Sequence, residues 1–121
     1  MADPIYQIKI KVFGVGGGGG NAISRMKDSL NTRAIELVAV NTDSQDLEKC
    51  EVKRKVHIGK NLTHGLGTGM NPELGRQAAE ENRSEIVEAV KGADLIFITA
   101  GLGGGTGSGA APVVADIAKE H

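Results

Sequence analysis

The sequence predicts an α/β fold in which a mostly parallel sheet of about four strands, ordered 3-2-1-4, carries helices on its faces. Three observations predict it. Strand-like and helix-like segments alternate along the 121 residues, the pattern that crossover connections between parallel strands produce. The run DLIFITA, Asp94 to Ala100, is almost wholly apolar, as a strand covered on both faces should be. The 18 glycines, more than twice the usual share of about 7%, gather where strands pass into helices.

The first strand is Ile8 to Val15 (IKIKVFGV), which alternates and then turns continuously apolar before the glycines Gly16 to Gly20. A helix follows over Asn21 to Leu30, where Ala22, Ile23, Met26 and Leu30 share a face and Gly20 or Asn21 serves as cap. Ile35 to Val40 (IELVAV) is a second, β-branched strand, ended by the turn formers Asn41, Thr42 and Asp43. Ser44 to Cys50 predicts a short helix begun by Asp43 or Ser44, and Lys55 to Ile58 a short third strand. A second glycine-rich loop, Leu62 to Asn71 (LTHGLGTGMN), leads into a helix from Pro72 to about Lys91. Proline stands at its first position, and Leu74, Ala78, Ile86 and Val90 form its apolar stripe. Gly92 ends it. The fourth strand, Asp94 to Ala100, enters a third loop, Gly101 to Gly109 (GLGGGTGSG), before a last helix over Ala110 to Glu120 with Pro112 in its opening turns. In this Rossmann-like arrangement ligands sit at the carboxyl ends of the strands, the side on which every glycine cluster falls.

A chain of 121 residues suits one domain with one core. Its net charge of -1 supplies no field to attract nucleic acid or anionic lipid. Cys50 is the single cysteine and has no internal disulfide partner, and no apolar span of membrane length occurs. The expected setting is cytoplasmic, with no nucleic-acid partner and no direct membrane insertion. His57, His64 and His121 stand at no zinc spacing to Cys50.

Glycine between strand and helix lets backbone N–H groups point inward with no Cβ in the way, and the positive end of the helix adds roughly 0.3–1 kcal/mol per favourable charge. Phosphate is the expected guest. Gly14-Val15-Gly16-Gly17-Gly18-Gly19 satisfies G-x-G-x-x-G, and Asp43 follows about where a ribose-binding acid belongs, so the first loop taken alone favours a dinucleotide enzyme. A P-loop does not fit, because Asn21 occupies the helix start where Gly-Lys-Ser/Thr would stand. The third loop separates these readings. Gly103 to Gly109 is a richer cradle than the first, and two cradles suit one polyphosphate held from two sides. Thr106 and Ser108 add hydroxyl donors between the amides.

GGGTGSG, residues 103–109, closely resembles the signature loop of the tubulin and FtsZ superfamily. GVGGGGGNAISRM, AVNTDSQDL, GLGTGMNPELGRQAAEE and ITAGLGGGTGSGAAPVVADIAKE resemble successive segments of its FtsZ branch, in the same order, from about Ile8 to the last residue. The resemblance implies the GTP-binding portion of a cytoskeletal GTPase that polymerises head to tail in cell division. It implies phosphate contacts from Gly17, Gly18, Gly19, Gly20 and Asn21. Gly67, Thr68, Gly69 and Met70 would close over the nucleotide near its γ-phosphate, and Gly104, Gly105, Thr106, Gly107 and Ser108 would wrap the phosphates from the far side. Asn41 and Asp43 match positions near the nucleotide and its magnesium ion. For Asp43 a helix N-cap is an equal alternative, and Arg25, Arg76 and Arg83 are read as solvated helix faces.

The same resemblance makes residues 1–121 the N-terminal half of the GTP-binding domain. Relatives continue with two more strands, the residues that recognise guanine and ribose, a core helix, a second domain, and the acidic loop that acts on the neighbouring subunit's nucleotide. The expected ligand is GTP or GDP with magnesium. No residue here is expected to be catalytic, and the isolated chain is expected to be a poor GTPase that self-associates through the strand at 94–100. Two readings from other classes remain open at this point: an NAD-dependent oxidoreductase using Gly14 to Gly19, and a non-catalytic phosphate-binding or interaction module.

Overall fold

The computed structural model describes residues 8–29, 34–69, 71–101 and 104–121. Strands β1 (Ile10–Val15), β2 (Ile35–Asn41), β3 (Arg54–His57) and β4 (Leu95–Ala100) form one all-parallel sheet in the order β3-β2-β1-β4, as predicted. Val15 lies beside both Val40 and Ala100, so β1, β2 and β4 finish nearly level. One edge of the sheet therefore collects their exits.

Alternation along each strand divides the core in two. Val12, Leu37 and Ala39 face α1 (Gly16–Lys27) and α2 (Ser44–Lys49), packing on Ile23, Leu47 and Cys50. A single-turn α3 (Lys60–Thr63) leads into the second glycine-rich stretch. Phe13, Val15, Val38 and Val40 face the other way, onto Ala78 and Ala79 of α4 (Pro72–Glu81), Ile86 and Val90 of α5 (Arg83–Val90), and Val114 and Ile117 of α6 (Gly105–Glu120). Lys11, on the same strand as Phe13, is buried with its Nζ donating to the carbonyls of Ala89 (2.8 Å) and Lys91 (2.7 Å). A buried ammonium is tolerable only when bonded in this way, and here it satisfies carbonyls at the end of α5.

Strand ends and the short α2 shift by one or two residues from the expectation, and three helix boundaries differ by more. α1 starts at Gly16 directly after β1, so Gly16 to Gly20 are its first turns and not a loop. The helix expected over 72–91 is broken at Asn82 (φ −112°, ψ 32°). Its Oδ1 accepts the Gly59 N–H at 2.7 Å while its Nδ2 donates to Glu85 Oε1 at 3.1 Å. α6 starts at Gly105 rather than Ala110, which leaves Pro112 inside the helix and removes the donor for the Ser108 carbonyl.

Among the described residues β4 has β1 as its only strand partner. Phe97, beside Val12, is 54% exposed and Leu95 is 46% exposed. No described helix is long and apolar enough to cross a membrane.

Candidate functional site

Parallel strands of a doubly wound sheet deliver helix N-termini to the edge where ligands bind. Here β1 passes into α1 without an intervening residue. Gly16 makes the corner with φ +77°, and a Cβ on it would stand 2.9 Å from the Gly107 backbone nitrogen. Only glycine accommodates both the left-handed turn and that approach. A Cβ on Gly18 would stand 3.2 Å from Gly101 Cα, so the first turn of α1 touches the chain leaving β4. Gly19 faces inward, where a Cβ would strike the Thr99 carbonyl oxygen and come within 3.1 Å of Gly14 Cα. Its lack of a side chain seats α1 on the sheet.

The two helix starts that meet here are bare. Among the described residues neither α1 nor α6 has a side-chain cap or an acidic residue in its first turn. Side chains cap α2 and α4, while the short α3 and α5 have no such cap. Asp43 Oδ1 accepts from the N–H of Gln45 (2.9 Å) and Asp46 (3.1 Å) at the start of α2, and Asn71 Oδ1 accepts from Glu73 (3.0 Å) and Leu74 (3.3 Å) at the start of α4. Open N–H groups at the positive poles of a 12-residue and a 16-residue helix are suited to an anion.

A small cleft of about 80 Å³ opens beside the start of α1, lined by Gly16, Gly17, Gly20, Asn21, Asn41 and Asp46 among others. Asn41 is buried at the end of β2, its Oδ1 accepting from the N–H of Thr42 (2.8 Å) and Asp43 (3.2 Å). That bond turns the chain toward α2. Asp43 takes the capping role described above.

The second glycine-rich stretch lies against the same corner. Leu66 bridges Asp43 in antiparallel fashion, and the Ser44 N–H donates to the Gly65 carbonyl at 3.2 Å. A Cβ on Gly67 would lie 3.7 Å from Asp43 Oδ2. Thr68 is buried, with its carbonyl accepting the Asn71 N–H at 3.2 Å, while the Cβ position of Gly69 opens onto free space. Met70 lies outside the described residues.

On the far side Gly104 is the N-cap of α6, with free space at its Cβ position. The Thr106 hydroxyl, expected as a donor to phosphate, shares a buried 2.7 Å bond with the Thr42 hydroxyl, which ties the start of α6 to the end of β2. A Cβ on Gly107 would stand 3.1 Å from the Gly101 carbonyl oxygen and 3.3 Å from that of Val15, so this glycine serves close packing. Gly105 is buried beneath Gly75 of α4, and the half-buried Ser108 donates its N–H to the Gly104 carbonyl at 3.0 Å. The first and third stretches are thus joined at one edge, with Gly17, Gly18, Gly20 and Asn21 on one side and Gly104 on the other. Sequence reasoning passed over Thr42 and Asp46. Thr42 was flanked by expected ligands, but Asp46 shows itself only because α2 lies beside α1.

Residues 9–121 match the GTPase domain of the Tubulin/FtsZ family. An empty FtsZ dimer from M. jannaschii is 49% identical, with TM-score 0.90, over 95% of this chain and 33% of its own. CetZ2 from Haloferax volcanii, solved as a GTPγS-bound protofilament, is 38% identical with TM-score 0.73 over 89% of this chain and 35% of its own. CetZ1 from the same organism, a GDP-bound monomer, is 34% identical with TM-score 0.82 over 93% and 38%. The chain therefore spans a little over a third of the length of these relatives, or slightly less. A match that runs through all four strands and both bare helix starts, at 49% identity to an FtsZ, shows that the chain belongs to the Tubulin/FtsZ family.

Proposed function

We propose that residues 1–121 are the N-terminal, phosphate-binding half of the GTP-binding domain of an FtsZ-like cytoskeletal GTPase, a cytoplasmic protein that polymerises head to tail in cell division. The observation that carries this reading is the contact of two uncapped helix N-termini, α1 and α6, through Gly16 and Gly107 at the carboxyl edge of the sheet. The relatives support it: one CetZ is GDP-bound and another is a GTPγS-bound protofilament. An NAD-dependent oxidoreductase is disfavoured by the family and by the second bare helix start, for which a dinucleotide fold has no use.

The residues fit a polyphosphate. Gly17 and Gly18 on α1 and Gly104 and Gly105 at α6 offer backbone N–H groups without side chains in the way, with Gly20, Asn21 and Asn41 beside them. Gly67, Thr68 and Gly69 flank the same corner through the Asp43–Leu66 bridge. Among the described residues no three metal-binding side chains converge. Magnesium needs no such cage when phosphate supplies oxygens and one or two carboxylates suffice. Bound GTP supplies the phosphoanhydride whose cleavage weakens the subunit contact in the filament. The chain's own part is to hold and orient the phosphates and to balance their charge, which is most of what phosphoryl transfer asks of a protein. Hydrolysis needs the acidic loop of a neighbouring subunit, so this chain alone binds nucleotide and turns it over poorly.

Calorimetric titration with GTP, GDP and NAD tests the reading. The guanine nucleotides should bind and NAD should not. Gly104→Val, which fills free space, should weaken GDP binding about tenfold, roughly 1.4 kcal/mol, with little change in thermal stability. Preferential binding of NAD, or unchanged GDP affinity in the valine variant, overturns it.

A further inference from the structure

Thr42 is wholly buried just past the end of β2, and each of its polar groups is engaged. Its N–H donates to Asn41 Oδ1 at 2.8 Å, its carbonyl oxygen lies 3.0 Å from His57 Nε2, and its hydroxyl shares the 2.7 Å bond with Thr106. The backbone is thus held on both sides of a β-branched side chain that has little freedom about χ1. Its methyl carbon lies 3.6 Å from the Cβ position of Gly59, and its Oγ1 4.0 Å from that of Gly67 in the second glycine-rich stretch. The hydroxyl is therefore fixed in place before Thr106 meets it.

What it holds is a turn with little stability of its own. The start of α6 carries glycine at 104, 105, 107 and 109, the residue that loses most conformational freedom on entering a helix. Among the described residues no other side-chain hydrogen bond reaches residues 104–109. Filling the space alone does not call for hydroxyls, because replacing both partners of a buried bond by apolar groups of the same shape is nearly neutral. A hydroxyl pair adds a preferred direction and distance.

We propose that Thr42 is a positioning residue for phosphate binding: through Thr106 it holds the glycine-rich first turn of α6 in its ligand-ready arrangement before a ligand arrives. The inference rests on the reading of α6 as a phosphate site. A turn that became ordered only on binding would draw that ordering from the binding free energy, and a tether made in advance spares it.

GDP titration and amide exchange on the full 121-residue chain test this in Thr42→Val, in Thr42→Ser, in the double variant Thr42→Val/Thr106→Val, and in Ile86→Val, a core substitution on α5. Thr42→Val should weaken GDP binding about tenfold, the worth of one hydrogen bond, and Thr42→Ser, which keeps the hydroxyl, should stay within about twofold of the wild type. The Ser108 N–H, bonded to the Gly104 carbonyl at 3.0 Å, reports whether the first turn is closed. Without nucleotide it should exchange about tenfold faster in Thr42→Val and at the wild-type rate in Thr42→Ser. Ile86→Val should lower the thermal midpoint and change neither GDP affinity nor Ser108 exchange, which separates positioning from stability at large. The double variant orphans no hydroxyl, so it carries the test where Thr42→Val fails to fold. Its midpoint should return toward the wild type, while Ser108 exchange stays fast and GDP binding is no weaker than in Thr42→Val, as for two groups that act as one. Wild-type affinity and exchange in a folded valine variant, or equal acceleration of Ser108 exchange in Ile86→Val, overturns the role of Thr42 and leaves the α6 site standing. Failure of the wild type to bind GDP overturns the site itself, and the inference with it.

Discussion

Replacing Gly75 with alanine should destabilise the protein, although helix propensity argues the reverse. Gly75 is buried within α4, where alanine is favoured over glycine by about 0.8–1.0 kcal/mol and a buried methyl adds about 0.8 kcal/mol. Local terms alone therefore predict a gain of about 1.5–2 kcal/mol. The crossing of α4 over α6 reverses the sign. A Cβ on Gly75 would collide with the Gly105 carbonyl oxygen and stand 3.0 Å from both the Gly105 carbonyl carbon and Thr106 Cα. All three are backbone atoms, so no change of rotamer relieves the overlap. The helices must separate instead, and Gly109 resists this shift because it meets α4 at Pro72 and Arg76 in the same way. An opening of about 0.5–1 Å forfeits a quarter to a half of each dispersion contact along the crossing. An overpacking cost at or above the top of the usual range of about 1–3 kcal/mol leaves a net loss of about 1–2 kcal/mol. Thermal unfolding followed by circular dichroism should show the midpoint lowered by roughly 4–10 °C. Because Gly105 and Thr106 begin α6, GDP affinity should fall as well. An unchanged or raised midpoint would refute the reasoning, since it would mean that the two helices part without cost.

Asn82→Ala removes the acceptor that holds the Gly59 N–H at 2.7 Å and should cost about 1–3 kcal/mol in urea unfolding; an unchanged midpoint would show that water replaces the bond. The Glu73 carboxyl is held below its ordinary value, chiefly by the hydrogen bond from Arg76. The stabilisation from that pair is present above the ordinary glutamate pKa and is lost as pH falls through the lowered one, so a carbon-detected NMR titration should place Glu73 low and Arg76→Ala should return it to the usual range. A normal Glu73 titration in the unaltered protein would remove the pair from consideration. The exposed Leu95 and Phe97 on β4 should make the chain associate with itself, because an uncovered apolar edge strand is a template for pairing. Sedimentation should show mass rising with concentration and Phe97→Glu should suppress it; a monomer at high concentration with freely exchanging amides at 95–100 would count against this account.

The sequence by itself determined the strands, their parallel order and the edge at which ligands gather. These rest on short-range signals: apolar alternation in β1, the β-branched run of β2, the uninterrupted apolar run of β4, and glycine following strand. It also showed where side chains are lacking. What each missing side chain is for was decided only by tertiary structure. Gly16 turns the chain and meets Gly107, Gly19 seats α1 against Thr99, Gly75 admits the carbonyl of Gly105, and Gly109 admits that of Pro72. Those partners lie far apart in the chain, and a glycine carries no mark of the surface it will face. The same limit explains the boundaries. Five glycines read locally as loop because each is a poor helix former, yet packing against β1 and β4 holds them as the first turns of α1. Asn82 reads as an ordinary helix residue until Gly59, from the other side of the second loop, presents its N–H. Asp46 reads as a solvated charge until Cys50 fastens α2 beside α1. Periodicity and turn chemistry act over a few residues and are written in the sequence; the facing of one backbone by another is settled only when distant segments pack.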